Sequence, residues 1–226
     1  MELMRFAVEH DWAVLLPIVL CSLLVVAVAL ERWRFYRKNQ RDVVEFFHAL
    51  QQELQRNNLK GALEISREAG GVLGEVSEEG VRAMAERREG FDRSFDIAAA
   101  LVARKLERNL PIVGTIATIA PYLGLFGTVV RILMTFGEMS TAAGSSAAPA
   151  IMSGIGSALI ATAAGLAVAI LAVALNNYFQ TIVTRFEDDF QLLKLLFLSF
   201  VDIAPKRTEP AAPQPFVRSA AQRPRE

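Results

Sequence analysis

The three apolar stretches of this 226-residue chain carry almost nothing that reacts. Ala13 to Leu30, Leu110 to Phe136 and Ala150 to Leu175 contain no Asp, Glu, His or Lys, and their ionisable side chains are Arg131, Cys21 and Tyr122. A nucleophilic serine needs a base beside it, yet Ser145, Ser146, Ser153 and Ser157 have none at membrane depth and sit in no Gly-x-Ser-x-Gly elbow. His10, His48 and Cys21 are too few for a zinc site of ordinary spacing, and the lone Cys21 has no intrachain disulfide partner. Gly154-Ile155-Gly156 opens like a dinucleotide fingerprint but lacks the third glycine and lies in an apolar helix. The acidic run Glu187-Asp188-Asp189 reads as a solvated helix face. No catalytic residue, metal or cofactor is expected.

What remains is hydroxyl chemistry and one cation. Reversing the direction of travel between the second and third stretches puts Thr162 near mid-bilayer and Thr128 about 7 Å outward from the centre of its helix. Each hydroxyl either faces a polar path or bonds a carbonyl of its own helix, and both readings stand for both threonines. Arg131 lies about five residues from the outer end of the second stretch, where it can snorkel outward, pair with Glu138 two turns on, or meet another protein.

The elements that position these groups follow from apolar length. Mean hydropathy is +0.32, and nearly all of the 24 Lys+Arg and 24 Asp+Glu lie outside the apolar stretches. An integral membrane protein is the class, and zero net charge gives no field to draw nucleic acid. Ala13 to Leu30 is 18 residues, about 27 Å of helix, enough to span. Glu2, Arg5, Glu9 and Asp11 make its approach net acidic, which fits a retained anchor better than a signal peptide. Leu192 to Val201 is ten residues with Lys194 inside and fails as a fourth span.

Arg32, Arg34, Arg37, Lys38 and Arg41 follow the first span, and Arg104, Lys105 and Arg108 precede the second, whereas the 137–149 loop holds Glu138 and no basic residue. The positive-inside rule then makes 1–12 and 137–149 periplasmic, 31–109 cytoplasmic, and the C-terminus cytoplasmic, with spans at 13–30, 110–136 and 150–176. The fold class is an all-α integral membrane protein of three transmembrane helices, the second and third extending into a cytoplasmic helical bundle. Within 31–109, apolar spacing predicts helices over Val43 to Leu54, Leu59 to Ala69 and Val72 to Arg88. From Phe91 the pattern Phe95, Ala98, Ala99, Val102, Leu106, Leu110 predicts one unbroken helix into the second span. Residues 177–203 read as an amphipathic continuation of the third span, and 204–226, with five of the nine prolines, as a disordered tail.

Small residues crowd the third span: Gly154, Gly156, Ala158, Ala161, Gly165 and others lie on nearly every side. They allow close backbone approach, either to the chain's own helices or to further subunits, and the second use predicts that Leu at Ala161 or Gly165 breaks an assembly. In the second span, Pro121 removes a donor and is expected to kink the helix near Ala117, with Gly124 and Gly127 following as close-packing positions.

Thr115-Ile116-Ala117, Ala120-Pro121-Tyr122-Leu123-Gly124-Leu125-Phe126-Gly127-Thr128-Val129, and Gly154-Ile155 followed by Ala158-Leu159-Ile160-Ala161-Thr162-Ala163 and Gly165-Leu166, with Asn177-Tyr178-Phe179 at the exit, resemble the MotA/TolQ/ExbB proton-channel family, in its three-span ExbB/TolQ branch. The resemblance implies a bacterial inner-membrane stator: a homo-oligomeric, pentameric ring around the single membrane helix of an ExbD/TolR-like partner. The partner's aspartate carries the proton, and a TonB/TolA-like periplasm-spanning protein receives the work, in transport, envelope maintenance or motility. It implies that Thr128 and Thr162 line the ion path, joined by Ser157, where the family's third span often has a glutamate. Their hydroxyls would then hydrate the borrowed carboxylate and lower the cost of its charged form. Arg131 is a second departure, standing where many relatives have a small residue. The alternative reading is a membrane scaffold that forms the same ring and conducts nothing.

Overall fold

A computed structural model describes residues 12–39, 42–86, 90–141 and 147–201. Among them are seven helices and no strand: α1 Trp12–Asn39, α2 Val43–Gln55, α3 Leu59–Ala69, α4 Gly71–Ala85, α5 Phe91–Glu107, α6 Leu110–Thr141 and α7 Ala147–Val201. Three of these, α1, α6 and α7, are long and apolar enough to cross a membrane. Only 22% to 28% of each apolar window is buried within the chain, so these helices are not the hidden core of a soluble domain. Bilayer or neighbouring subunits must cover the rest. The N-terminal segment to residue 11 and the 204–226 tail lie outside the described residues.

The remaining helices form a bundle beyond the membrane, each started and stopped by local chemistry. Asp42 caps α2 by accepting from the backbone N–H of Val44 (3.1 Å) and Glu45 (3.3 Å). Asn57, at φ 54°, turns the chain, and Asn58 caps α3 through the Gly61 N–H at 3.1 Å. Gly70 and Gly71, at φ 57° and 60°, make the sharp corner into α4, a conformation only glycine takes cheaply. The α4 helix thus runs from Gly71 to Ala85 rather than from Val72 to Arg88, residues 87–89 being outside the described set. The bundle's core joins Leu50, Val76, Phe95, Leu106, Phe179, Leu193 and Phe197. Gly80 gives the Phe197 ring its seat, since a Cβ there would lie 2.6 Å from the ring. Leu193 and Phe197 are buried in this bundle, which is where the apolar run at 192–201 belongs.

The unbroken helix expected from Phe91 into the second span is two helices. Arg108 is extended (ψ 133°) and Asn109 is left-handed (φ 67°) between α5 and α6. Pro111 explains the break: it has no N–H to offer the Glu107 carbonyl, and its ring would clash with that carbonyl in a continuous helix. Asparagine tolerates the left-handed turn that results. The carbonyls freed at the end of α5 are taken up by α1. Arg32, 3% exposed, donates from Nη1 to the Lys105 and Leu106 carbonyls (3.0 and 3.3 Å), and the Tyr36 hydroxyl donates to Leu106 O at 2.7 Å. Glu31 closes the junction, accepting from Arg32 and from Asn109 Nδ2, both at 2.7 Å.

The third span and its extension are one helix of 55 residues, about 80 Å long, so well over half of α7 lies beyond a bilayer core of about 30 Å. On that extension Asp188 is exposed while Glu187 and Asp189 are half-buried. The acidic run is therefore only partly a solvated face, and burial, aided by neighbouring Asp188, pushes the Asp189 carboxyl above its ordinary range.

Candidate functional site: the seam between α6 and α7

The residues singled out for ion-path chemistry fall along one seam, where α6 and α7 pack antiparallel. The half nearer the helical bundle is a close backbone contact. A Cβ on Gly165 would lie 2.6 Å from the Ala120 carbonyl oxygen and 2.9 Å from Gly124 Cα, and one on Gly124 would lie 3.0 Å from Thr162 Cα. Only glycine fits the first of these positions, because the obstructing atoms are backbone. Buried Ala158, Ala161, Ala169 and Ala172 continue the stripe along α7.

Part of the small-residue surface of α7 is thus used within the chain. Gly154, Ala158, Ala161 and Gly165 face the chain's own helices, while Ala163, Ala167 and Ala174 are exposed among Leu159, Leu166 and Ile170. The α6 helix passes through Pro121 without interruption, and Gly127 is buried one and a half turns beyond it.

One of the two hydroxyls bonds its own helix and the other bonds the neighbouring one. Thr162 is half-buried and its Oγ1 donates across the seam to the Gly124 carbonyl at 3.1 Å. Thr128 is also half-buried, but its Oγ1 donates to Leu125 O of its own helix at 2.6 Å. Both O–H bonds are thus spent on backbone carbonyls. Each oxygen still has lone pairs to offer, so both threonines present acceptors rather than donors to anything approaching them.

The half of the seam farther from the bundle is polar and buried. Arg131 is 4% exposed and Ser157 3%, and Arg131 Nε donates to Ser157 Oγ at 2.9 Å. The Ser157 hydroxyl in turn donates to the Gly154 carbonyl at 3.1 Å. Thr135, one turn beyond Arg131, donates to the Arg131 carbonyl at 2.9 Å and packs against Gly154. Snorkelling is therefore not what Arg131 does: its head is held inside, against α7. The suggested partner, Glu138, has its side chain outside the described residues. Sequence reading noticed Arg131 and Ser157 separately and missed that they touch; Thr135, four residues after Arg131 on the same helix face, was missed altogether.

The contact between Arg131 and Ser157 carries an expected result. Ser157→Ala removes the acceptor from a buried charged donor, which should cost about 1–3 kcal/mol in thermal unfolding of the purified chain. Arg131→Gln with Ser157→Ala should cost less than the sum of the two single changes. Strict additivity in that double-mutant cycle would mean that the 2.9 Å contact contributes nothing.

Comparison with known proteins bears on the same seam. The sequence model described as the MotA/TolQ/ExbB proton channel family matches residues 68–192, which take in α4 to α6 and most of α7. The Tol-Pal system protein TolQ of Pseudomonas aeruginosa is 38% identical over 112 residues, covering 46% of this chain and 48% of TolQ. A putative biopolymer transport protein ExbB homolog of Methanothermobacter thermautotrophicus is 33% identical over 177 residues, 74% of this chain and 58% of its own length. The putative biopolymer transport protein ExbB-like 2 of Helicobacter pylori is 45% identical over 78 residues, 33% of this chain and 51% of its own. The chain spans about half the length of the curated relatives it matches.

Proposed function

The chain belongs to the MotA/TolQ/ExbB proton channel family, in its ExbB/TolQ-like branch, and from that premise we propose that it is the ring-forming stator subunit of an inner-membrane motor driven by proton-motive force. It works with an ExbD/TolR-like single-span partner and, through it, on a TonB/TolA-like protein that spans the periplasm. Its N-terminus and 137–149 loop face the periplasm, and the bundle of α2 to α5 faces the cytoplasm.

One observation carries this reading: the α6–α7 seam holds buried polar groups, yet the spans hold no carboxylate to move a proton. The only charged side chain in them is Arg131, whose guanidinium is hydrogen-bonded to Ser157. The proton carrier must come from another polypeptide. The geometry also revises what the threonines offer it. With their O–H groups committed to Gly124 and Leu125, Thr162 and Thr128 accept hydrogen bonds, which suits the proton-bearing carboxyl or an ordered water rather than the bare carboxylate. They stabilise the loaded state of the carrier.

Proteoliposomes containing a pH-sensitive dye test the proposal. The chain alone should be proton-tight, and flux should appear when the single-span partner is reconstituted with it. Proton flux from the chain alone would refute a borrowed carboxylate. A stable complex of the two proteins without flux would favour the non-conducting scaffold, a reading supported by the fact that Thr128, Thr162 and Ser157 all find hydrogen-bond partners within the chain.

A further inference from the structure

The outward face of α1 runs from an apolar stripe into a cluster of cations. Ile18, Val25, Val28, Arg32 and Tyr36 turn inward and are buried. On the opposite side Val19, Leu23, Val26 and Leu30 form an exposed stripe at alternating spacings of four and three, the repeat of one helix face. From Val19 to Leu30 this stripe is about 17 Å long, close to the hydrocarbon depth of one leaflet. Its next two positions are Trp33, 49% exposed, and Arg37, whose guanidinium sits over the Trp33 ring at 5.3 Å from the centroid. Arg34 and Lys38 flank them, both exposed. Among the described residues none of Arg34, Arg37 and Lys38 is ion-paired, and Glu31, on the same helix, is already held by Arg32 and Asn109.

We propose that this face is a binding site for an anionic phospholipid of the leaflet on the bundle side, with an acyl chain along Val19 to Leu30 and the acidic headgroup held by Arg34, Arg37 and Lys38. The indole of Trp33 lies at the level where apolar chain gives way to headgroup, the depth its amphipathic ring prefers. Stacked on it, Arg37 has its guanidinium edge free for a bidentate bond to a phosphate. A zwitterionic lipid fills the same apolar stripe but gains less from three cations, so the site discriminates by charge. This assignment is independent of whether the chain conducts protons.

Tryptophan fluorescence of the full chain tests it, because Trp12→Phe leaves Trp33 as the only indole. The protein is reconstituted into phosphatidylcholine vesicles containing either dibrominated phosphatidylglycerol or dibrominated phosphatidylcholine at the same mole fraction. Quenching should show about a fivefold preference for the anionic lipid, weakening as salt is raised. The triple variant Arg34→Gln, Arg37→Gln, Lys38→Gln should quench equally with both lipids, and Arg34→Lys with Arg37→Lys should restore most of the preference, which separates charge from folding. Equal quenching in the parent overturns the proposal, as does a preference that survives in the triple variant. Absence of quenching by either lipid overturns it as well, since a second copy of the chain would then cover the face.

Discussion

Thr162→Val is expected to reduce partner-dependent proton flux strongly while leaving the fold and the assembly in place. Valine has nearly the shape of threonine, so the packing of α7 on Gly124 survives. The hydrogen bond to the Gly124 carbonyl, 3.1 Å long, is lost, but such bonds between membrane helices average only about 0.6 kcal/mol. What cannot be replaced is the acceptor oxygen at mid-seam. If a proton-bearing carboxyl from a partner must cross this seam, each lost acceptor raises the barrier by the cost of an unsatisfied donor, about 1–3 kcal/mol, or roughly fivefold to 150-fold in rate. Thr128→Val removes an acceptor of the same kind and should behave alike, whereas Thr162→Ser keeps the oxygen and should retain most of the flux. Native mass spectrometry supplies the control for assembly, and dye-loaded proteoliposomes supply the rate. Full flux in Thr162→Val, with the complex intact, would take the threonine out of the mechanism.

How far the sequence alone reached depended on the range of each interaction. Three apolar runs in a chain without strand patterning were sufficient for the three membrane-length helices, because bilayer thickness fixes length and composition residue by residue. Pro111 was equally local, and its consequence for α5 and α6 was readable in principle. It was overridden by a run of apolar residues at helical spacing, although periodicity says nothing about whether the backbone bonds between them can form. The seam was legible only as a list. Small residues on α7 announce close packing but not with what, and the register that sets Gly165 on Ala120 and Gly124 is a property of two helices. Arg131 and Ser157 are 26 positions apart, and two side chains that separately looked out of pattern turn out to be hydrogen-bonded to each other. Burial likewise decided Arg131 against snorkelling, and burial belongs to the folded chain.

The glycines of that seam predict a graded series whose order is set by distance. Gly165→Ala places a Cβ 2.6 Å from the Ala120 carbonyl oxygen and 2.9 Å from Gly124 Cα. These are backbone atoms of α6, so no rotamer change relieves the clash and the two helices must separate. Overpacking of this kind costs about 3 kcal/mol, enough to lower the unfolding midpoint by several degrees. Gly124→Ala meets Thr162 Cα at 3.0 Å and the Ala161 carbonyl oxygen at 3.1 Å, a tight fit that a few tenths of an ångström of movement accommodates, so its loss should be smaller. Gly114→Ala has nothing nearer than the Asn176 Oδ1 at 3.6 Å and gains helix propensity of about 1 kcal/mol, so it should be neutral or stabilising. Thermal unfolding of the three variants in one detergent gives the order directly, and a Gly114 variant as damaged as the Gly165 one would remove the close-packed seam as the source of stability. Gly165→Leu goes further and should leave α6 and α7 unpaired. Because Gly165 lies one turn from Thr162, separating the helices also withdraws the Thr162 oxygen from its place beside Gly124. Flux and stability should therefore fall together in the Gly165 variants, whereas in Thr162→Val flux falls alone, and that contrast separates a residue that builds the path from one that acts in it.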